Sequence, residues 1–177
     1  MRKGYLGVSF SWGKRSVANY LKKIFPYGSP ALDIGAGAGN YHFFLGNHFN
    51  MDAIEIFEPT IKAAELELKY RTVFCTDIRN FIYTINYDLI IMGDIIEHLP
   101  ISDAQEVIKE ALNHCLSLLV AVPYLYKQGQ LGGNIHEIHI QDDLTPILVK
   151  ERYPSLSCLI NNEVYGYYLA NGKLRNV

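Results

Sequence analysis

Short apolar runs recur about every 20 to 25 residues along the chain, at 31–34, 53–57, 73–76, 88–92 and 116–122. They carry apolar side chains at successive positions, as strands covered by helices on both faces do. Between them, 41–48, 60–70 and 102–114 show helical spacing, the last opening on Ser102 with Gln105 three places later as a capping pair. Ahead of the first run, Val17, Tyr20, Leu21, Ile24 and Phe25 form an apolar stripe with Lys22 and Lys23 opposite, which predicts an amphipathic helix lying on the sheet. After the fifth run come a glycine-rich loop at 128–134, a histidine-rich segment, a helix predicted over 143–151, and two strand-like runs at 156–160 and 164–170. The last two are joined too briefly for a crossover helix, so they should close the sheet in antiparallel fashion. Strand and helix alternating in this way predict an α/β chain with a mostly parallel sheet.

The length of 177 residues suits one domain, expected to span 1–177 with 1–28 as an N-terminal helix and lid. A formal net charge of −2 offers little general attraction to polyphosphate, so nucleic acid is not the expected partner. The strongest apolar run, 116–122, falls short of the roughly 18 residues that span a bilayer, and the segment before Lys14 and Arg15 is too broken for a secretory leader. Cys75, Cys115 and Cys158 are spaced neither for a disulfide framework nor for a cysteine-based zinc site. They are expected as small core residues of a reduced, cytoplasmic protein.

The first strand runs into Gly35-Ala36-Gly37-Ala38-Gly39, the kind of turn that brings backbone amides up to a ligand at the carboxyl edge of a parallel sheet. A dinucleotide-dependent oxidoreductase uses such a turn, but its fingerprint places the third glycine at 40, where this chain has Asn40. Asp33, two residues ahead, would repel a pyrophosphate and suits a positively charged ligand.

Residues 31–39 resemble the first motif of the class I S-adenosylmethionine-dependent methyltransferases. The resemblance extends through Glu55, through Cys75-Thr76-Asp77-Ile78, and through the run from Tyr87 to Leu99 that contains Gly93-Asp94 and Glu97-His98. It implies a Rossmann-like, doubly wound sheet of about seven strands with an antiparallel C-terminal strand, and S-adenosylmethionine as cofactor. On it, Asp33, Gly35, Ala36 and Gly37 form the donor loop, Glu55 meets the ribose hydroxyls, Ile56 and Ile78 sandwich the adenine, Asp77 accepts from its amino group, and Gly93 and Asp94 lie beside the methionyl part. Read without the resemblance, Asp33 caps the turn, Asp77 is an N-cap and Glu55 a solvated strand end.

Methyl transfer needs alignment, and with a hydroxyl acceptor it also needs a base titrating near neutrality. His98, His136 and His139 follow the fourth and fifth strands, whereas His42, His48 and His114 are expected to be structural. The run 132–139 lacks the two histidines four apart on a helix that a zinc protease requires. It resembles a loop closing over the acceptor in some of these methyltransferases, which implies His98, His139 and Glu137 as catalytic residues, with Glu137 orienting a histidine or binding substrate. Asp94, Glu97, His98 and His139 are also similar to a metal-binding cluster of small-RNA 2′-O-methyltransferases. The chain departs from it by an aspartate in first place, a negative charge and no room for an RNA-binding domain, so no metal is assigned. Tyr5, Phe10, Trp12, Tyr124, Tyr126 and Gln128 are expected to form an aromatic lid over a small-molecule or saccharide acceptor, in a pocket left shallow unless a homodimer covers it. A protein that binds the donor without turnover is the alternative.

Overall fold

The computed structural model describes residues 11–176. Seven strands form one sheet: β1 (Pro30–Ile34), β2 (Asn50–Ile54), β3 (Val73–Phe74), β4 (Tyr87–Gly93), β5 (Cys115–Pro123), β6 (Ser157–Asn161) and β7 (Tyr165–Asn171). Their order is β3-β2-β1-β4-β5-β7-β6. The first five run parallel, and β7 inserts antiparallel between β5 and β6. The order reverses between β1 and β4, so the loops leaving their carboxyl ends diverge and open a crevice.

Alternation along the central strands feeds two cores. Leu32, Ile34, Ile90, Met92, Leu118 and Val120 face one side, against Ala104, Val107, Ile108 and Ala111 of α4 (Ile101–Asn113) and Val149 of α5 (Pro146–Arg152). Ala31, Leu89, Ile91, Leu119 and Ala121 face the other, against Val17, Ala18 and Leu21 of α1 (Lys14–Ile24), Tyr41 and Leu45 of α2 (Asn40–Leu45) and Ile61 of α3 (Glu58–Ala63). Among the described residues no helix is long and apolar enough to cross a membrane.

Several boundaries differ from those expected. The second strand lies at 50–54 instead of 53–57, because it begins with Asp52, a buried carboxylate that reads as loop. Asp52 is tolerated there because Arg71 reaches it at 2.6 Å and the Tyr87 hydroxyl donates to it at 3.1 Å. The helix expected over 60–70 breaks at Glu65, whose φ of 51° is left-handed, and resumes as a 3₁₀ turn, Leu66–Leu68. Leu66 is thereby buried, and Tyr70 donates to Asp33. The helix expected over 41–48 stops at Leu45, before Gly46.

Ser102 does not cap α4. Pro100 holds the N-cap position, and the Ser102 hydroxyl donates to Asp103 instead. The helix expected from 143 begins at Pro146, where Thr145 accepts from the Leu148 amide at 3.2 Å. On α1 the stripe is rotated, so Tyr20 and Ile24 are exposed while Lys14 and Ala18 are buried. Cys115 is a core residue, but Cys75 and Cys158 are exposed.

Candidate active site

The turn after β1 holds Gly35 and Gly37 at φ of 71° and 52°, a backbone region open chiefly to glycine. A Cβ on Gly35 would fall 2.0 Å from Cδ1 of Ile95, in the loop after β4, so that loop packs directly on the turn. Just past β2, Glu55 ties the turn in place: the Gly37 amide donates to its Oε2 and the Phe57 amide to its Oε1, each at 2.9 Å. It is therefore not a solvated strand end. Glu55 is 6% exposed and borders the cleft, with lone pairs left on both oxygens. Burial raises its pKa, opposed by the backbone donors.

Asp33 stands inside β1 beneath the turn, and the cleft lining does not include it. Its Oδ2 accepts from the Tyr70 hydroxyl at 2.5 Å, while Oδ1 is buried without a hydrogen-bond partner among the described residues. Burial pushes its pKa up to about 7, against the lowering effects of the Tyr70 bond and of Lys14. Asp33 can therefore act on a ligand only through the field it sets beneath the loop.

An apolar slot adjoins the cleft. Ile56 and Ile78 both line it, together with Ile34, Ile54, Ile95 and Leu99, and Asp77 sits at its polar edge. Asp77 also caps the 3₁₀ turn Ile78–Asn80: its Oδ1 accepts from the Arg79 amide at 2.9 Å and its Oδ2 from the Arg79 guanidinium at 2.6 Å. That pairing holds its carboxyl below the usual range. The capping role and a place at the slot are thus both realised.

At the end of β4, Gly93 leaves room for Tyr41, whose Cε2 would lie 2.2 Å from a Cβ there. Asp94, at φ 58°, accepts from the Tyr165 hydroxyl at 2.7 Å and borders the cleft. Lys14 faces it from the first turn of α1 and was not singled out in the sequence. It is 3% exposed, its Nζ lies 4.8 Å from the Tyr41 ring centroid, and Asp94 and Asp33 act on it electrostatically. Burial lowers its pKa. The signal was present: Lys14 is in phase with Val17, Ala18 and Leu21, a cation on the apolar stripe.

The opposite rim is built by the loops after β4 and β5. His98 Nδ1 lies 3.1 Å from the Ile138 carbonyl and His139 Nδ1 lies 2.7 Å from that of Tyr126, with ring centroids 4.6 Å apart. A carbonyl only accepts, so both Nδ1 atoms carry hydrogen and both Nε2 lone pairs are left for the cleft. Burial, reinforced by His139, lowers the His98 pKa to about 4. Beside them Glu97 is fully buried, and neither carboxylate oxygen has a hydrogen-bond partner among the described residues. Its pKa is raised by burial first and by Asp94 next. One ligand atom from each of Glu97, His98 and His139 lies within 4.8 Å of the others.

The expected catalytic trio is thus only partly assembled. Glu137 lines the cleft, but its carboxylate accepts from Gln128 at 3.1 Å and from Asn134 at 3.4 Å, with no histidine bonded to it among the described residues. It clamps its loop. His136 lines both cleft and slot. The aromatic lid also forms only in part: Tyr126 and Gln128 line the cleft, whereas the Trp12 ring centroid lies 6.3 Å from that of Tyr167 and the Tyr124 hydroxyl bonds that of Tyr168 within the core. Tyr5 and Phe10 lie outside the described residues. His48 bonds the Phe25 carbonyl and His114 stacks on Tyr83, while His42 packs on Tyr70, as structural histidines do.

An S-adenosylmethionine-dependent methyltransferase from Clostridium acetobutylicum superposes with a TM-score of 0.68 at 14% identity, over 90% of each chain. The N-methyltransferase NodS from Bradyrhizobium japonicum gives 0.64 at 14% identity, over 90% of this chain and 94% of that one. The N-terminal domain of EvdMO1, crystallised with S-adenosylhomocysteine and D-fucose, gives 0.67 at 11% identity, over 93% of this chain and 85% of that one. The chain has the class I methyltransferase fold. By sequence it matches no family model and no curated protein. In the class I methyltransferase fold the glycine turn, Glu55 and the Gly93–Asp94 corner occupy the carboxyl edge of β1, β2 and β4, where open α/β sheets place their ligands.

Proposed function

We propose that the chain transfers a methyl group from S-adenosylmethionine to an oxygen of a small-molecule or saccharide acceptor. The observation that carries this is the convergence, on one crevice, of a glycine turn tied to Glu55, the Ile56–Ile78 slot, and the Lys14–Asp94 pair. Their chemistry fits the donor part by part. Glu55 has lone pairs for ribose hydroxyls, the slot suits a flat apolar ring with Asp77 at its edge, and Asp94 and Lys14 complement an ammonium and a carboxylate. Gly35, Ala36 and Gly37 let the backbone approach closely. Solved neighbours of the same fold, NodS and magnesium protoporphyrin IX methyltransferase from Synechocystis, hold S-adenosylhomocysteine or S-adenosylmethionine.

When bound, the donor supplies an electrophilic methyl that an acceptor oxygen displaces in line. The chain's own residues align that oxygen, exclude water and remove its proton. At the rim, His98 and His139 present their Nε2 lone pairs and Glu97 its carboxylate, while Glu137, through Gln128 and Asn134, keeps the covering loop in place. Isothermal titration should detect S-adenosylmethionine and S-adenosylhomocysteine, and a labelled methyl group should pass to a hydroxyl in a saccharide and small-alcohol panel. His139→Gln should lower kcat by about 100-fold or more while leaving donor affinity unchanged. An absence of affinity for both nucleosides ends the proposal, and donor affinity without transfer to any acceptor favours a binding protein.

A further inference from the structure

We propose that Glu97, His98 and His139 bind a divalent transition-metal ion at the acceptor rim of the cleft. A wholly buried carboxylate with both oxygens unpartnered among the described residues is rare, because each unmade bond leaves a desolvated acceptor. No described ion pair reaches Glu97. Beside it, two imidazoles have their Nδ1–H groups on backbone carbonyls, at 3.1 and 2.7 Å. That is how proteins hold metal-ligating histidines, since the second bond fixes the tautomer and aims the Nε2 lone pair. The three ligand atoms already lie within 4.8 Å of one another. An ion about 2.0–2.2 Å from each sets them about 3–4 Å apart, a closure within the reach of side-chain adjustment.

The backbone supporting the ligands is strapped in place. The Glu97 carbonyl accepts from the Ile140 amide at 2.8 Å and the Gln141 amide at 2.9 Å, and the His139 amide donates to the Gln128 carbonyl at 3.0 Å. Asp94 is not a ligand in this arrangement, because its Oδ1 is taken by the Tyr165 hydroxyl. Two imidazoles and one carboxylate suit Zn²⁺, Co²⁺ or Mn²⁺ better than Ca²⁺ or Mg²⁺, and three protein ligands leave positions open to the cleft.

The ion site stands without the donor; its use on an acceptor rests on the methyl-transfer reading. An acceptor hydroxyl in an open position would be polarised and made more acidic, as metal-bound water is. Its proton passes to solvent, its oxygen forms the new bond to the methyl carbon, and the electron pair of the broken S–CH₃ bond returns to sulfur.

The test uses the whole chain, stripped with a chelator and titrated with Zn²⁺, Co²⁺ and Mn²⁺ without nucleoside, while donor affinity is measured in parallel. One ion per chain is expected, with Co²⁺ giving a visible ligand-field spectrum. His139→Ala and Glu97→Gln should each weaken binding at least about tenfold. Circular dichroism reports whether Glu97→Gln folds; should it not, His139→Ala, at a half-buried position, carries the comparison. Failure of all three ions to bind stoichiometrically, or binding unchanged in a folded variant, overturns the site. Donor binding without metal binding overturns the ion site alone. Metal binding without donor binding supports it and removes only the methyl-transfer reading.

Discussion

Single side chains in this protein take their chemistry from what burial leaves them. Asp33 keeps one bond, to Tyr70, and its pKa rises from the unfolded value near 4 to about 7. The fold therefore favours the protonated form. Its contribution to stability is fully present below about pH 4 and is lost as pH rises to about 7. Urea denaturation of the donor-free protein should show that decline, and Asp33→Asn should flatten it; an unchanged slope in the variant would reject the assignment. The acids at 33, 55, 77 and 94 were legible in the sequence because each ends a strand-like run. What they bond to was not, since Tyr70, Gly37, Arg79 and Tyr165 reach them through tertiary folding or a local turn.

At the level of elements, the catalytic rim is made of loops held to one another more than of helices. Gln141, 4% exposed, fastens the loop after β4 to the segment entering α5: its Nε2 donates to the carbonyls of Ile96 and Leu99 at 2.7 and 2.9 Å, and its Oε1 accepts from Tyr153 at 2.9 Å. Gln141→Ala leaves those buried carbonyls without a donor. It should lower the unfolding free energy by about 1–3 kcal/mol, measured by urea denaturation, and raise hydrogen exchange at 96–99 and 138–141. Loss of stability with unaltered exchange in both segments would show that Gln141 packs but does not fasten. Periodicity could reveal β4, β5 and α4 because their burial is continuous. It misplaced β2 and the helix after it, where an Asp52–Arg71 pair and a left-handed Glu65 override local preference.

Across the whole molecule, the sheet order places the crevice at the β1–β4 divide and the two cores hold its floor rigid. A ligand that binds only this folded crevice stabilises the entire chain. S-adenosylmethionine at one hundred times its Kd should add about 2.7 kcal/mol to the unfolding free energy, read as a raised denaturation midpoint. NAD should add nothing, and the reverse outcome would point to a dinucleotide enzyme. The order of strands and helices, the glycine turn and the acids at strand ends were determined by the sequence alone, because hydrophobic period and glycine conformational freedom are properties of neighbouring residues. Tertiary structure alone decided that Asp33 lies under the turn, that Lys14 enters the cleft, and that Glu97 meets two histidines. Those outcomes depend on which surfaces are desolvated together, and that is settled only when residues 40 or more positions apart are packed against each other.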